Sequence, residues 1–92
     1  MAKTEIYYKS WCPYSHLALD LMRRKGISFT AIDLTHDADA PEREMRRRSG
    51  QTSVPQVFIN DQHIGGFSEI AGLEARGQLD PLLACEVRSR AA

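Results

Sequence analysis

The chain opens on alternation and then changes period. Thr4 to Tyr8 places Ile6 among polar neighbours and carries two tyrosines, which suits a short buried strand better than a helix. After a turn at Ser10 to Cys12, Leu17, Leu21 and Met22, with Ala18 beside them, fall at helical spacing, predicting a helix from Pro13 to Lys25 stopped by Gly26. Ser28 to Leu34 alternates again through Phe29 and Ala31, less regularly through Ile32 and Leu34, and reads as a second strand. Such a β-α-β unit pairs its strands in parallel through a right-handed crossover.

Thr35 to Ala40 is polar and acidic, and Pro41 then opens a charged helix running to Ser49 and ending at Gly50. Its triple arginine, Arg46 to Arg48, is expected on a solvated face. Gln56 to Asn60 and His63 to Ile64 read as an antiparallel hairpin around an Asn60-Asp61 turn. Gly65-Gly66 breaks the pattern, Ser68 begins a helix reaching Arg76, and Gly77 ends it. Asp80-Pro81 matches the N-cap and first-position proline of a final helix. Past Glu86 there is little apolar surface, so residues 1–86 are expected to form one domain and residues 87–92 a frayed tail. The element order predicts an α/β domain, a four-stranded mixed sheet flanked by helices on both faces. Functional sites in such sheets gather at strand ends. Attention therefore falls on the loop after the first strand, which carries Cys12.

Composition narrows the function classes. Ninety-two residues, 42% apolar and 26% charged, bound a single compact domain with an ordinary core. Two cysteines, Cys12 and Cys85, are too few for a disulfide framework and wrongly spaced for a four-ligand zinc site. Twelve acidic side chains balance twelve basic ones, so the basic face of a nucleic-acid binder is not expected. The first residues contain no apolar h-region, and no apolar run approaches the ~18 residues of a membrane span. No membrane partner is expected, and the reducing cytoplasm is the expected compartment.

The chemistry centres on Cys12. Because it precedes Pro13, it falls at or next to a helix N-cap, where unpaired N–H groups and the helix dipole favour thiolate over thiol. Lys9, three residues earlier, adds positive charge. A lone intracellular cysteine is more commonly a small buried hydrophobe, but turn, proline and lysine together favour a nucleophile. Cys12 and His16 share a helix face at i and i+4, yet two ligands do not make a metal site. No partner is legible for His36 or His63, so all three histidines are expected to be satisfied or solvent-facing. Cys85, near the end of the last helix and not at a helix start, is expected to be structural or incidental. A disulfide to Cys12 would need Cα atoms within about 7 Å, and the two are expected farther apart.

The run Tyr8-Lys9-Ser10-Trp11-Cys12-Pro13-Tyr14-Ser15 resembles the active-site segment of glutaredoxins, Lys-x-x-Cys-Pro-Tyr-Cys, in its monothiol form ending in serine. Ser53-Val54-Pro55-Gln56-Val57-Phe58-Ile59 is similar to the family's Thr-Val-Pro segment, Gly65-Gly66 to its diglycine, and Ala75-Arg76-Gly77 to Leu83 to its closing helices. The resemblance covers about residues 3–84 and implies a thioredoxin-like fold. It also implies a cis Val54-Pro55 bond that brings the Val54 backbone opposite Cys12, with glutathione as co-substrate. In that picture Ser53, Val54 and Pro55 form the edge on which the cysteinyl part of glutathione pairs. Gly66, Phe67, Ser68 and Glu69 offer a helix start to the γ-glutamyl carboxylate, and Glu69 meets its ammonium. Lys9 holds the glycyl carboxylate and Tyr14 walls the sulfur. Phe67-Ser68-Glu69 departs from the Cys/Ser-Asp-Asp common in the family, which leaves the backbone contacts and alters the side-chain ones.

Ser15 stands where a dithiol relative has its resolving cysteine, and a hydroxyl forms no disulfide. The resemblance thus implies a monothiol thioltransferase, a monomer acting on glutathionylated proteins. The alternative is a dimeric carrier whose two Cys12 thiolates and two glutathiones hold a [2Fe–2S] cluster. A non-catalytic module of the same fold is a third reading.

Overall fold

A computed structural model describes residues 2–85; Glu86 and the expected tail lie outside the described residues. The elements run β1 (Thr4–Tyr8), α1 (Pro13–Arg24), β2 (Thr30–Asp33), α2 (Asp39–Ser49), β3 (Gln56–Ile59), β4 (Gln62–Gly65), α3 (Phe67–Ala75) and α4 (Leu79–Ala84). They build one four-stranded sheet in the order β2-β1-β3-β4. β1 pairs in parallel with β2, while β3 is antiparallel to both β1 and β4. The mixed sheet expected from the element order is therefore present.

The two-residue period of the inner strands sorts side chains onto two faces. Ile6, Val57 and Ile59 point to one side, where they bury against Ala18, Leu19, Leu21 and Met22 of α1, Ile70 of α3, and Leu79 and Leu83 of α4. Tyr7 and Phe58 point to the other side and pack edge to face, with ring centroids 5.8 Å apart, under Met45 of α2 and Leu34. One face is closed by three helices and the other by one. Lys25, at the C-cap of α1, ties the first group together through Asp80 (2.8 Å) and Glu74 (2.7 Å). The hydrogen bonds its ammonium donates to Asp80, and then to Glu74, hold its pKa above the ordinary lysine value.

Several expected boundaries shift, each for a physical reason. The second strand shortens to Thr30–Asp33 because it is a sheet edge with only Ile32 half-buried, while Phe29 leaves the ladder to pack on the α1 side. α2 starts at Asp39, two residues before the expected start, so Pro41 is its third residue, where a missing N–H still costs no intrahelical bond. α3 starts at Phe67 rather than Ser68, with Gly66 as N-cap. α4 starts at Leu79, which is fully buried, so Asp80-Pro81 lies two positions further in than expected and Gln78 is the N-cap.

The arginine run also differs from expectation. Arg46 and Arg47 do face outward, paired with Glu42 and Glu44. Arg48 turns inward: its guanidinium lies 3.9 Å over the Phe58 ring and donates to Tyr7 Oη (2.9 Å) and Glu5 (2.8 Å). The planar, weakly hydrated guanidinium suits a stacked, half-buried position. Burial opposes its charge, but the hydrogen bonds to Glu5 and Tyr7 outweigh that and raise its pKa above the ordinary arginine value. Arg48 thus fastens the last turn of α2 to the sheet.

Candidate active site

Strand β1 ends at Tyr8, and the chain turns through Lys9 to Cys12, closed by the Cys12 N–H donating to the Lys9 carbonyl (3.1 Å). Cys12 is the N-cap of α1 with extended backbone angles, and Pro13 follows at the first helical position. The expected helix-start placement is therefore observed. Cys12 is only 8% accessible, whereas Trp11 and Tyr14 on either side are 67% and 61% accessible. Its thiol faces the Val54 carbonyl at 3.7 Å. Val54 belongs to a loop 42 residues away, brought there by β3 returning antiparallel beside β1. The Val54-Pro55 bond is cis, as the resemblance implies.

The turn before Cys12 is fixed from three sides. Ser15, fully buried, accepts a hydrogen bond from the Lys9 N–H (3.3 Å). The hydroxyl thus has a structural partner of its own. His16 donates from Nε2 to the Ser10 carbonyl (2.6 Å), and Thr35 accepts from the Ser10 N–H (2.9 Å). Thr35 also donates to Asp33, whose carboxyl is held below its usual range first by that hydroxyl and then by the Thr35 N–H. His16 is thereby a satisfied histidine, as expected, and His63 likewise meets Gln56 at 2.7 Å. His36 is exposed and its charge helps lower the Asp33 carboxyl.

A second helix start adjoins the first. Gly65 adopts φ +128°, a conformation that favours glycine, and a Cβ there would meet Glu69 Cγ at 2.7 Å and displace that side chain. A Cβ on Gly66 would come within 3.3 Å of the Pro55 carbonyl, so the diglycine lets α3 begin directly against the Val54-Pro55 loop. The first intrahelical bond of α3 is Ile70 N–H to Gly66 O (3.2 Å), which leaves the Phe67, Ser68 and Glu69 N–H groups ahead of the ladder. Ser68 is exposed at the second helical position and does not cap. Capping falls to Glu69, whose Oε1 accepts from the Gly66 N–H at 2.7 Å. The Phe67 ring reaches back to Tyr14, with centroids 6.4 Å apart, so the two helix starts share an aromatic wall.

Cys12, Tyr14, Val54, Pro55, Gly66, Phe67, Ser68 and Glu69 are therefore gathered around two adjoining helix starts. Lys9 is half-buried and sends its ammonium over the Trp11 ring, 5.5 Å from the centroid. Ser53 is exposed, and both its carbonyl and hydroxyl are taken up by the Gln56 side chain. Neither Trp11 nor Gln56 was singled out by sequence reasoning. An exposed tryptophan beside Cys12 and a polar residue inside the apolar run Val54 to Ile59 were the available signals. Among the described residues no cluster of three or more metal-ligating side chains forms, and Cys12 and Cys85 both remain thiols, Cys85 exposed at the C-cap of α4. No helix among the described residues is long and apolar enough to cross a membrane.

The family model for glutaredoxin matches residues 4–64. Glutaredoxin 3 of Escherichia coli strain K12 is 52% identical over 83 residues, spanning 90% of this chain and 99% of that protein. A glutaredoxin of Pseudomonas aeruginosa is 39% identical, spanning 90% of this chain and 98% of that one. Among solved structures, a buckwheat glutaredoxin–glutathione complex superposes with a TM-score of 0.79 at 28% identity, over 89% of this chain and 76% of its own. The dithiolic glutaredoxin 2-C-Grx1 of Trypanosoma brucei brucei gives 0.80 at 27% identity, over 90% and 88%. The sheet order and helix placement described above are the thioredoxin-like fold of these structures. A cysteine at a helix start, this fold, and sequence identity maintained across nearly the whole chain lead to one conclusion: the chain belongs to the glutaredoxin family of thiol oxidoreductases.

Proposed function

We propose that the protein reduces mixed disulfides between glutathione and protein thiols by a monothiol cycle centred on Cys12. The observation that carries this reading is the Cys12 thiol at the N-cap of α1, facing the Val54 carbonyl, with Ser15 rather than a second cysteine one turn on. The buckwheat relative was solved with glutathione, which supports the same ligand here.

In the first step the Cys12 thiolate attacks the glutathione sulfur of the mixed disulfide. The protein–glutathione S–S bond breaks as the Cys12–glutathione bond forms, and the substrate thiolate leaves and takes a proton from solvent. In the second step the thiolate of another glutathione attacks the glutathione sulfur held on Cys12, giving oxidised glutathione and returning the Cys12 thiolate. Ser15 offers no sulfur for an internal disulfide, so the adduct awaits the second glutathione. Recognition follows from the groups around the thiol. The Val54 backbone pairs with the cysteinyl peptide unit in the manner of a β-edge. The N–H groups of Phe67, Ser68 and Glu69 take the γ-glutamyl carboxylate. Glu69, already anchored on the Gly66 N–H, turns its remaining acceptor capacity to the ammonium. Lys9 takes the glycyl carboxylate, and Tyr14 with Phe67 covers the sulfur.

A [2Fe–2S] cluster needs four thiolate-type ligands. This chain brings one, Cys12, to the site, so a cluster would rely on a second copy and on glutathione. The expected cytoplasmic setting supplies the reduced glutathione that the cycle consumes.

The test is turnover of a glutathionylated protein by glutathione. Cys12→Ser is expected to lower it by at least about 10³-fold, the scale of losing a covalent nucleophile. Undiminished turnover would overturn the reading.

A further inference from the structure

Gln56 is buried to 1% accessibility within a strand whose other members are Val57, Phe58 and Ile59. A polar side chain in such a place must be fully hydrogen-bonded or it destabilises the fold. Its partners all lie in two places. Nε2 donates to the Ser53 carbonyl and to Gln51 Oε1, both at 3.1 Å, with Ser53 Oγ at 3.3 Å. Oε1 faces His63 Nε2 at 2.7 Å. The main-chain carbonyl of Ser53 can only accept, which fixes the amide with its nitrogen toward the loop and its oxygen toward β4. An amide oxygen can only accept as well, so His63 carries its proton on Nε2 and donates. His63 is itself seated on the Phe58 ring, 5.1 Å between centroids.

The chain of contacts therefore runs from the sheet through His63 and Gln56 into the segment 51–53, and the next residue is Val54, whose carbonyl faces the Cys12 thiol. We propose that Gln56 is a positioning residue for substrate, holding the Val54 backbone where the cysteinyl unit of glutathione pairs, with His63 orienting it. This deepens the function proposed above and rests on it. Gln56 touches neither the sulfur nor, in that reading, the ligand, and it acts through Val54.

The experiment uses the full chain and the mixed disulfide of glutathione with cysteine as substrate. Gln56→Glu keeps the volume and the His63 partner but turns the loop-facing donor into an acceptor against two acceptors. Gln56→Met removes both ends. Each is expected to raise KM about tenfold, the scale of losing one or two buried hydrogen bonds. The rate of Cys12 alkylation by iodoacetamide and kcat should stay within about twofold of the parent, because the start of α1 is untouched. His63→Phe keeps a ring on Phe58 and removes the donor. It is expected to raise KM about threefold alone and to add nothing in the Gln56→Met background. A merely structural Gln56 would lower the melting temperature and the active fraction while leaving KM unmoved, and that result overturns the proposal. If a Gln56 variant does not fold, an unchanged KM in His63→Phe overturns it equally. Failure of the underlying function is seen separately, as absence of turnover in the parent protein.

Discussion

Helices α1 and α2 begin in opposite ways and end alike. Both carry arginines in the last turn, Arg23 and Arg24 in one and Arg46 to Arg48 in the other, which complements the negative end of each helix dipole. At the other end α2 has Asp39 and Glu42 in its first turn, α3 has Glu69 and α4 has Asp80. Among the four described helices α1 alone has no acidic residue there. The carboxylate missing from α1 would have stabilised it by about 0.3–1 kcal/mol. Its place at the N-terminus is held by the Cys12 thiol, and in the proposed cycle the favourable potential that α2 uses for stability serves the attacking thiolate in α1.

The two helices also divide labour in how they are fastened. α2 is fixed at its far end by Arg48, whereas α1, tied at its far end by Lys25, is also fixed at its near end by the wiring of Lys9, Ser10 and Ser15. Breaking the first fastening should cost the most stability. Arg48→Met keeps the packing over Phe58 but removes the bonds to Glu5 and Tyr7, leaving Glu5 half-buried without that partner. The expected loss is about 1–3 kcal/mol in urea denaturation, with Cys12 alkylation unchanged at temperatures where the variant is folded. Arg48→Lys should recover little of it, since one ammonium does not reproduce the flat, forked guanidinium. If alkylation changed along with stability, the two helices would not be the separate devices described above.

A carboxylate placed in α1 tests the contrast from the other side. Tyr14→Glu puts an acid in its first turn, as in α2, and is expected to slow Cys12 alkylation at neutral pH about two- to fivefold, the kinetic equivalent of one charge at a helix terminus. An unchanged rate would mean that the start of α1 does not favour the thiolate.

The smallest effect belongs to Glu42. Its folded-state pKa lies below the ordinary glutamate value, chiefly through the hydrogen bond from Arg46. A carboxyl whose pKa falls on folding contributes stability above its unfolded value and loses it as pH drops through the folded one. Glu42→Gln should therefore melt slightly below the parent at pH 7, and the difference should vanish in acid. A difference that grew on acidification would contradict the assignment.

Much of this contrast was legible in the chain. Thr4–Tyr8 occupies the strand its alternation predicts, and the Cys12-Pro13 pair gives the helix start that a proline at the first position dictates. Residues whose role depends on the tertiary partner were less legible. Arg48 is one residue beyond two solvated arginines, and only the one-helix cover over Tyr7 and Phe58 turns it inward. Ser68 has the composition of an N-cap, but the diglycine lets α3 start one residue earlier and hands capping to Glu69. Gln56 looks like an edge-strand polar residue until His63 and the segment 51–53 close around it. In each case the side chain's chemistry was visible and its partner, distant in sequence, was not.

In the proposed chemistry Cys12 and Cys85 are unequal because one is at the open start of a helix and the other at the end of one. Mass spectrometry of the protein after treatment with oxidised glutathione, with peptide mapping, tests it directly. One glutathione adduct is expected, on Cys12, removed by added glutathione, with Cys85 unmodified over the same time. An adduct that forms on Cys85 while Cys12 stays unmodified would contradict it.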